Sequence, residues 1–253
     1  MDLLDTARPW LVPLEPAGPS ATPLLCFPHA GGSASYYFPW AAALAPDVAV
    51  APVQYPGRYD RRTEPMPPDL QSLAVAVAEA VGPVVEQRPC VFFGHSMGAV
   101  LAYEVSRLLA DRGPGPERLV VSGRRSPTCH VEETVHLADD ASVLAELRTL
   151  GGQSTAVLDD PDIRALFLPV IRGDYALIEN YLHRPGPALT CPLTILTGDA
   201  DPRVTREQAE AWRTVTTGES ELFVRPGGHF FLDGDRPFVT DLLRSRVAGL
   251  RSV

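Results

Sequence analysis

A chain of 253 residues, 45% apolar, with a mean hydropathy of zero and a net charge of −9, can bury a large core, and its charge argues against nucleic acid and an anionic membrane as partners. No apolar run approaches the roughly 18 residues of a membrane span, and the acidic start Met1-Asp2-Leu3-Leu4-Asp5 lacks the apolar stretch of a signal peptide. The expectation is a cytoplasmic α/β chain, monomeric by default. Its cysteines Cys26, Cys90, Cys129 and Cys191 form no C-x-x-C pair and no metal-ligand spacing, so neither disulfides nor a metal site are expected, and only Cys129 sits in a polar, exposed-looking loop.

Residues 1–20 carry Pro9, Pro13, Pro16 and Pro19, which argues against helix and leaves Trp10-Leu11-Val12 as a short edge strand. Leu24-Leu25-Cys26-Phe27 reads as the first buried strand, followed by a loop over 28–34 and a helix over 36–44 kinked at Pro39. A second strand over 48–53 leads into a long loop, 54–68, holding Arg58, Arg61 and Arg62. A helix over 70–86 follows, with Asp69 as its N-cap. Strands over 90–93, 119–122, 192–197 and 221–224, and helices over 99–105, 204–215 and 238–250, complete the alternation, the last helix announced by Asp235 and Pro237. Strands alternating with helices predict a mostly parallel sheet covered on both faces, with ligands at the carboxyl ends of the strands. One segment, about 126–184, breaks the pattern: it has helical runs at 140–150, 162–171 and 175–183, the first two separated by Gly151-Gly152, and reads as a helical lid inserted in a single domain spanning 1–253.

The chemistry starts at Gly94-His95-Ser96-Met97-Gly98, between the 90–93 strand and the following helix. In that setting G-x-S-x-G forms a sharp turn that lifts the serine over the sheet, and flanking glycines remove the Cβ atoms that would collide there. The N–H of Met97 and the helix N-terminus face the space where an oxyanion would form. A serine hydroxyl needs a base, and the base an orienting acid, in the chain order Ser, Asp or Glu, His. His229, in Gly227-Gly228-His229-Phe230-Phe231 after the last strand, fits the base. His95 points away from the site by its place on the elbow, His29 lies ahead of the elbow, and His130, His136 and His183 fall in the insertion. Asp199 and Asp201, in Gly198-Asp199-Ala200-Asp201-Pro202, can each reach the histidine; Asp201 is further out in the loop, and Asp199 is better suited to stabilising the turn. A second oxyanion donor is expected at the N–H of Ala30, in Phe27-Pro28-His29-Ala30-Gly31-Gly32, where related esterases carry H-G-G-G.

These stretches, together with Gln54-Tyr55-Pro56-Gly57-Arg58, Arg61 and Glu64-Pro65, resemble the type II thioesterases, stand-alone α/β-hydrolases that accompany polyketide and nonribosomal peptide synthetases. The resemblance runs from about Trp10 to Leu250. It implies a triad of Ser96, His229 and Asp201 and an oxyanion hole from Ala30 and Met97. The substrate it implies is an acyl thioester on the phosphopantetheine arm of an acyl or peptidyl carrier protein, cleaved without a cofactor of the enzyme's own to clear stalled or aberrant acyl groups. Such carriers are acidic, and so is this chain, so docking is expected at a local basic patch: Arg58, Arg61 and Arg62, with Arg124 and Arg125 after a strand end as a second group at the pocket rim. A general carboxylesterase, a chain-releasing synthetase domain and a silent binding scaffold compete with this reading. The Q-Y-P-G-R loop speaks against the first, the start at Met1 with no carrier-like region before it against the second, and the complete residue set against the third.

Overall fold

A computed structural model describes residues 3–250 apart from 16, 19, 152–154 and 249. Six strands, β1 (Thr22–Phe27), β2 (Val48–Pro52), β3 (Val91–His95), β4 (Arg118–Ser122), β5 (Leu193–Gly198) and β6 (Ser220–Arg225), form one sheet in the order β2-β1-β3-β4-β5-β6, each neighbouring pair parallel. The helices are α1 (Phe38–Leu44), α2 (Leu70–Gln87), α3 (Met97–Ala110), α4 (Asp140–Leu150), α5 (Pro161–Glu179), α6 (Arg206–Glu210), α7 (Phe231–Gly234) and α8 (Arg236–Ala248).

Near-continuous apolar strands follow from burial on both faces. Successive side chains of β1 go to opposite layers: Leu25 and Phe27 pack with α2 and α3, and Leu24 and Cys26 with Trp40 and Leu44 of α1 and Leu243 of α8. A separate apolar cluster, Val143, Leu144, Leu158, Leu168, Ile171 and Tyr175, holds the 126–184 segment together. Because β3 lies centrally, its carboxyl end is flanked by the loops after β1 and β4, which is where the site is assembled.

Several expectations change in detail. Leu3–Ala7 is a short 3-10 helix before Pro9, with Leu4 and Ala7 buried, where helix was not expected. Pro39 starts α1 rather than kinking it, since the first turn needs no N–H from it. The runs expected at 162–171 and 175–183 are one helix, α5, which ends at Glu179. Gly173 inside it costs about 1 kcal/mol, less than is gained by the buried stripe Leu168, Ile171, Tyr175 and Ile178 that continues across it. The helix expected over 204–215 is split into α6 and a 3-10 stretch, Ala211–Val215. Gly151 follows α4 with φ 78, while Gly152, like Pro16, Pro19, Met1 and Asp2, lies outside the described residues. Asp69 caps α2 by accepting from the Ser72 N–H at 2.7 Å. The four cysteines are free thiols, Cys129 partly exposed. Among the described residues no helix is long and apolar enough to cross a membrane.

Candidate active site

The turn from β3 to α3 holds Ser96 at φ 55, ψ −119, a conformation that costs a non-glycine residue roughly 1–3 kcal/mol. Its N–H is tied to the Ser122 carbonyl of β4 at 2.8 Å. A Cβ on Gly94 would come within 2.7 Å of Ala99 Cα, and one on Gly98 within 2.6 Å of the Pro28 carbonyl oxygen. The second glycine therefore lets the elbow press against the loop after β1, not only against its own helix.

His229 follows β6 and Asp201 follows β5. Asp199 joins their loops, its Oδ1 accepting from the Gly227 N–H at 2.9 Å, while the Ala200 N–H donates to the Gly227 carbonyl at 2.9 Å. Asp201 Oδ1 accepts from the Arg203 N–H at 2.9 Å, and Oδ2 faces His229 Nδ1 at 2.9 Å. His229 Nε2 stands 3.0 Å from Ser96 Oγ. With the Nδ1 proton donated to Asp201, Nε2 is left to accept from the hydroxyl. The Asp201 side chain is fully buried and that of His229 nearly so, which strengthens each of these bonds relative to water. The arrangement joins the residues expected as acid, base and nucleophile in one chain of hydrogen bonds. Ala30 borders the same small cavity as Ser96, about 40 Å³ in volume, and Met97 begins α3 behind the serine. Neither the Ala30 nor the Met97 N–H is taken up by a backbone partner among the described residues.

Two further histidines surround His229. His95 is fully buried with Nδ1 3.2 Å from Ser122 Oγ, and its ring centre is 5.1 Å from that of His229. Burial, then His229 and His29, hold its imidazole well below the usual range. Burial among Tyr36, Phe230 and His95, followed by His229 and Arg58, pushes His29 down to about 3. Both stay neutral, so they bring no positive charge to oppose an imidazolium at His229. The same burial makes the fold sensitive to acid. Unfolded His95 binds a proton below about pH 6.5, whereas the folded form refuses it, so this contribution is intact above that pH and is lost as the pH falls towards the folded value. As the pH falls below the range of an ordinary imidazole this contribution is lost, and the melting temperature is expected to fall with it. His95→Gln is expected to melt with a correspondingly shallower drop between neutral and acid pH; equal drops in variant and wild type would contradict the burial argument.

The cavity wall opposite the elbow comes from α4 and α5, through Leu147, Leu150, Tyr175 and Ile178. Its polar side was not foreseen: Glu133 pairs with Arg124, Arg125 and Arg203, Arg203 also with Glu146, and Glu179 accepts from His136. Arg124 does border the cavity, as expected, with burial and then Arg125 pushing its guanidinium down to about 10. Glu133 and Arg203 separate this cavity from a larger cleft of about 730 Å³ behind Asp201.

The arginine patch expected for docking is corrected. Arg58 and Arg61 are buried, 6% and 4% exposed. Arg58 is paired with Asp174, and Arg61 lies over Trp10, donates to the Gln54 carbonyl and pairs with Glu64. Neither charge reaches the surface, because both serve contacts inside the 54–64 loop and beneath it; Arg62 alone of the three is exposed. Among the described residues no cluster of three His, Cys, Asp or Glu side chains is placed to hold a metal ion.

Residues 22–247 match the model of the thioesterase domain family. The chain belongs to the thioesterase family. This thioesterase is 50% identical over 228 residues to a probable cadicidin biosynthesis thioesterase of Streptomyces griseus, covering 90% of this chain and 63% of the relative. It is 45% identical over 225 residues to the thioesterase PikA5 of Streptomyces venezuelae, covering 88% of this chain and 80% of that one. Among solved structures it is similar to the type II thioesterase BorB of the borrelidin biosynthetic cluster, with a TM-score of 0.85, 42% identity, and coverage of 94% of this chain and 97% of that one. The fold is accordingly that of the α/β-hydrolases.

Proposed function

We propose that this thioesterase hydrolyses acyl groups from the phosphopantetheine arm of a carrier protein in polyketide or nonribosomal peptide synthesis, clearing stalled or aberrant units. The observation that carries the reading is the unbroken hydrogen-bond chain Asp201–His229–Ser96 at a cavity bordered by an unengaged amide. Ser96 attacks the thioester carbonyl while His229 takes its proton, and the charge on the tetrahedral oxygen falls on the N–H groups of Ala30 and Met97. The imidazolium, held by Asp201, protonates the departing thiol. Water then attacks the acyl-serine with His229 again as base, so both half-reactions are complete with protein groups alone. The names of the relatives, a biosynthesis thioesterase and a type II thioesterase of a biosynthetic cluster, support the editing role.

A cavity of about 40 Å³ has room for only a few water-sized groups. We infer that the α4–α5 wall, which lines this cavity, moves to admit an acyl chain on its arm, the sense in which the 126–184 segment acts as a lid. The test is hydrolysis of one short acyl group presented on a phosphopantetheinylated carrier and, separately, as a simple oxygen ester. The expected result is a kcat/KM at least about 100-fold higher for the carrier thioester, some 3 kcal/mol of discrimination. Cleavage of the oxygen ester as fast or faster would leave the hydrolase standing and remove the carrier from the reading.

A further inference from the structure

The loop that carries Ala30 is a β-turn, His29 to Gly32, closed by the Gly32 N–H donating to the His29 carbonyl at 2.9 Å. Gly31 has φ +74 at the third position, where a type II turn needs a positive φ. Types I and II differ by a flip of the central peptide, here the one between Ala30 and Gly31. The N–H of that peptide donates to Asp174 Oδ2 at 2.6 Å. Asp174 comes from α5, far away in sequence, and Ile171, one turn earlier on the same helix face, lies where a Cβ on Gly31 would stand, 2.6 Å from its Cγ1.

The Q-Y-P-G-R loop holds the rest of the turn. Arg58 donates through Nε to the Gly32 carbonyl at 2.7 Å, Tyr55 through its hydroxyl to the Pro28 carbonyl at 3.1 Å, and Gln54 Oε1 accepts from the Ala34 N–H at 3.0 Å. Arg58 also pairs with Asp174, their side chains 4% and 0% exposed. Asp174 Oδ1 has no hydrogen-bond partner among the described residues. Burial pushes its carboxyl up, against Arg58 and the Gly31 N–H, which pull it down. A buried ion pair with an unsatisfied oxygen is a poor way to stabilise a fold, since apolar residues of similar volume do as well or better. What the pair does achieve is to fix the Ala30–Gly31 peptide plane, next to the His29–Ala30 peptide that carries the Ala30 N–H, and so to set the backbone angles of Ala30 between them.

We propose that Asp174 and Arg58 are positioning residues for the oxyanion donor: together they hold the 29–32 turn in the conformation that presents the Ala30 N–H to Ser96, and they do so only while α5 is seated on the turn. The inference rests on the hydrolase reading above. It makes the completion of the oxyanion hole conditional on the position of the same helix that walls the cavity.

The test uses the full chain carrying Asp174→Leu, Asp174→Asn or the pair Arg58→Met with Asp174→Leu, with melting temperatures taken alongside. Asn keeps a carbonyl able to accept from Gly31; Leu does not. Removing one oxyanion donor costs about 100- to 1000-fold in kcat, and a misaligned one should cost less, so Asp174→Leu is expected to lose about 30-fold or more in kcat on a small acyl thioester with KM within about threefold. Asp174→Asn should recover at least about tenfold of that loss. The double variant should stay folded, as removal of both charges avoids a lone buried ion, and still be slow. A folded Leu or double variant with near wild-type kcat, or Asn and Leu variants equally impaired, overturns the proposal. Labelling of Ser96 by a fluorophosphonate, which needs the oxyanion hole but no thioester, should slow in parallel. Loss of labelling rate together with no thioesterase activity in the wild type would sink the substrate reading and leave the positioning role intact.

Discussion

Ser96→Ala is expected to lower kcat for thioester cleavage by about 10⁴- to 10⁶-fold, and His229→Ala to lower it by a similar factor, with the double variant no worse than either single one. The reason is the 3.0 Å contact between Ser96 Oγ and His229 Nε2. A base without its nucleophile, or the reverse, does nothing for acyl transfer, so the two losses do not multiply. What activity survives comes from substrate binding and the two N–H groups. The measurement is single-turnover release of the acyl group, followed by mass spectrometry of the carrier. Losses that multiplied in the double variant would mean that the residues act in separate steps. Ser96→Gly gives a companion result: it should be as inactive as Ser96→Ala but more stable by about 1 kcal/mol, after the freedom glycine adds to the unfolded chain is subtracted. The gain is strain released from φ 55, ψ −119, and its absence would mean that the elbow is not strained.

Asp201→Asn should lower kcat by about 10⁴-fold at neutral pH although the side chain keeps its size. Hydrogen bonding dictates the outcome. The backbone N–H of Arg203 donates to Oδ1 of Asp201 at 2.9 Å, so in the variant the amide oxygen is retained there and the NH₂ turns to His229. Nδ1 then has to accept, the ring proton moves to Nε2, and Nε2 can no longer accept from Ser96. Nitrogen NMR of the imidazole should report the exchanged tautomer, with the melting temperature little changed. An unaltered rate would mean that Asp201 does not orient the base. Asp199 is a poor substitute, because its Oδ1 is engaged by the Gly227 N–H.

The local features were the easiest to read from sequence. The elbow is written in five consecutive residues, the buried strands in their apolar runs, and the order Ser, Asp, His follows from the order of strand ends. Place in the loop favours Asp201 over Asp199 as the partner of the histidine, and the structure divides the two by partner: Asp199 accepts from the Gly227 N–H, and Asp201 faces His229. The arginines of the 54–64 loop were misread for a physical reason. Polar loops with clustered arginines are ordinarily solvated, and nothing local signals that Asp174, from 116 residues away, neutralises Arg58. A signal did exist in α5 itself. Asp174 lies on the stripe of Ile171, Tyr175 and Ile178, and a carboxylate on a buried stripe must have a partner. The polar wall built on Glu133 and Glu179 left no such trace, since it depends on how the 126–184 segment folds back.

The start of the chain also bears on how the molecule behaves in company. Residues 10–14 run antiparallel along β2: the N–H groups of Val12 and Leu14 donate to the carbonyls of Pro52 and Val50, and that of Gln54 to Trp10. They cover the row of backbone groups that β2, with all five residues buried, would otherwise offer to a strand from another copy. The covering segment is itself a poor template, because Pro13 has no N–H to extend a ladder. At the opposite side of the sheet, β6 is only partly buried and carries Glu221 and Arg225. Trimming the first fourteen residues would therefore leave Ser96, Asp201 and His229 in the sequence yet uncover the outer edge of β2, and is expected to make the chain more prone to aggregation.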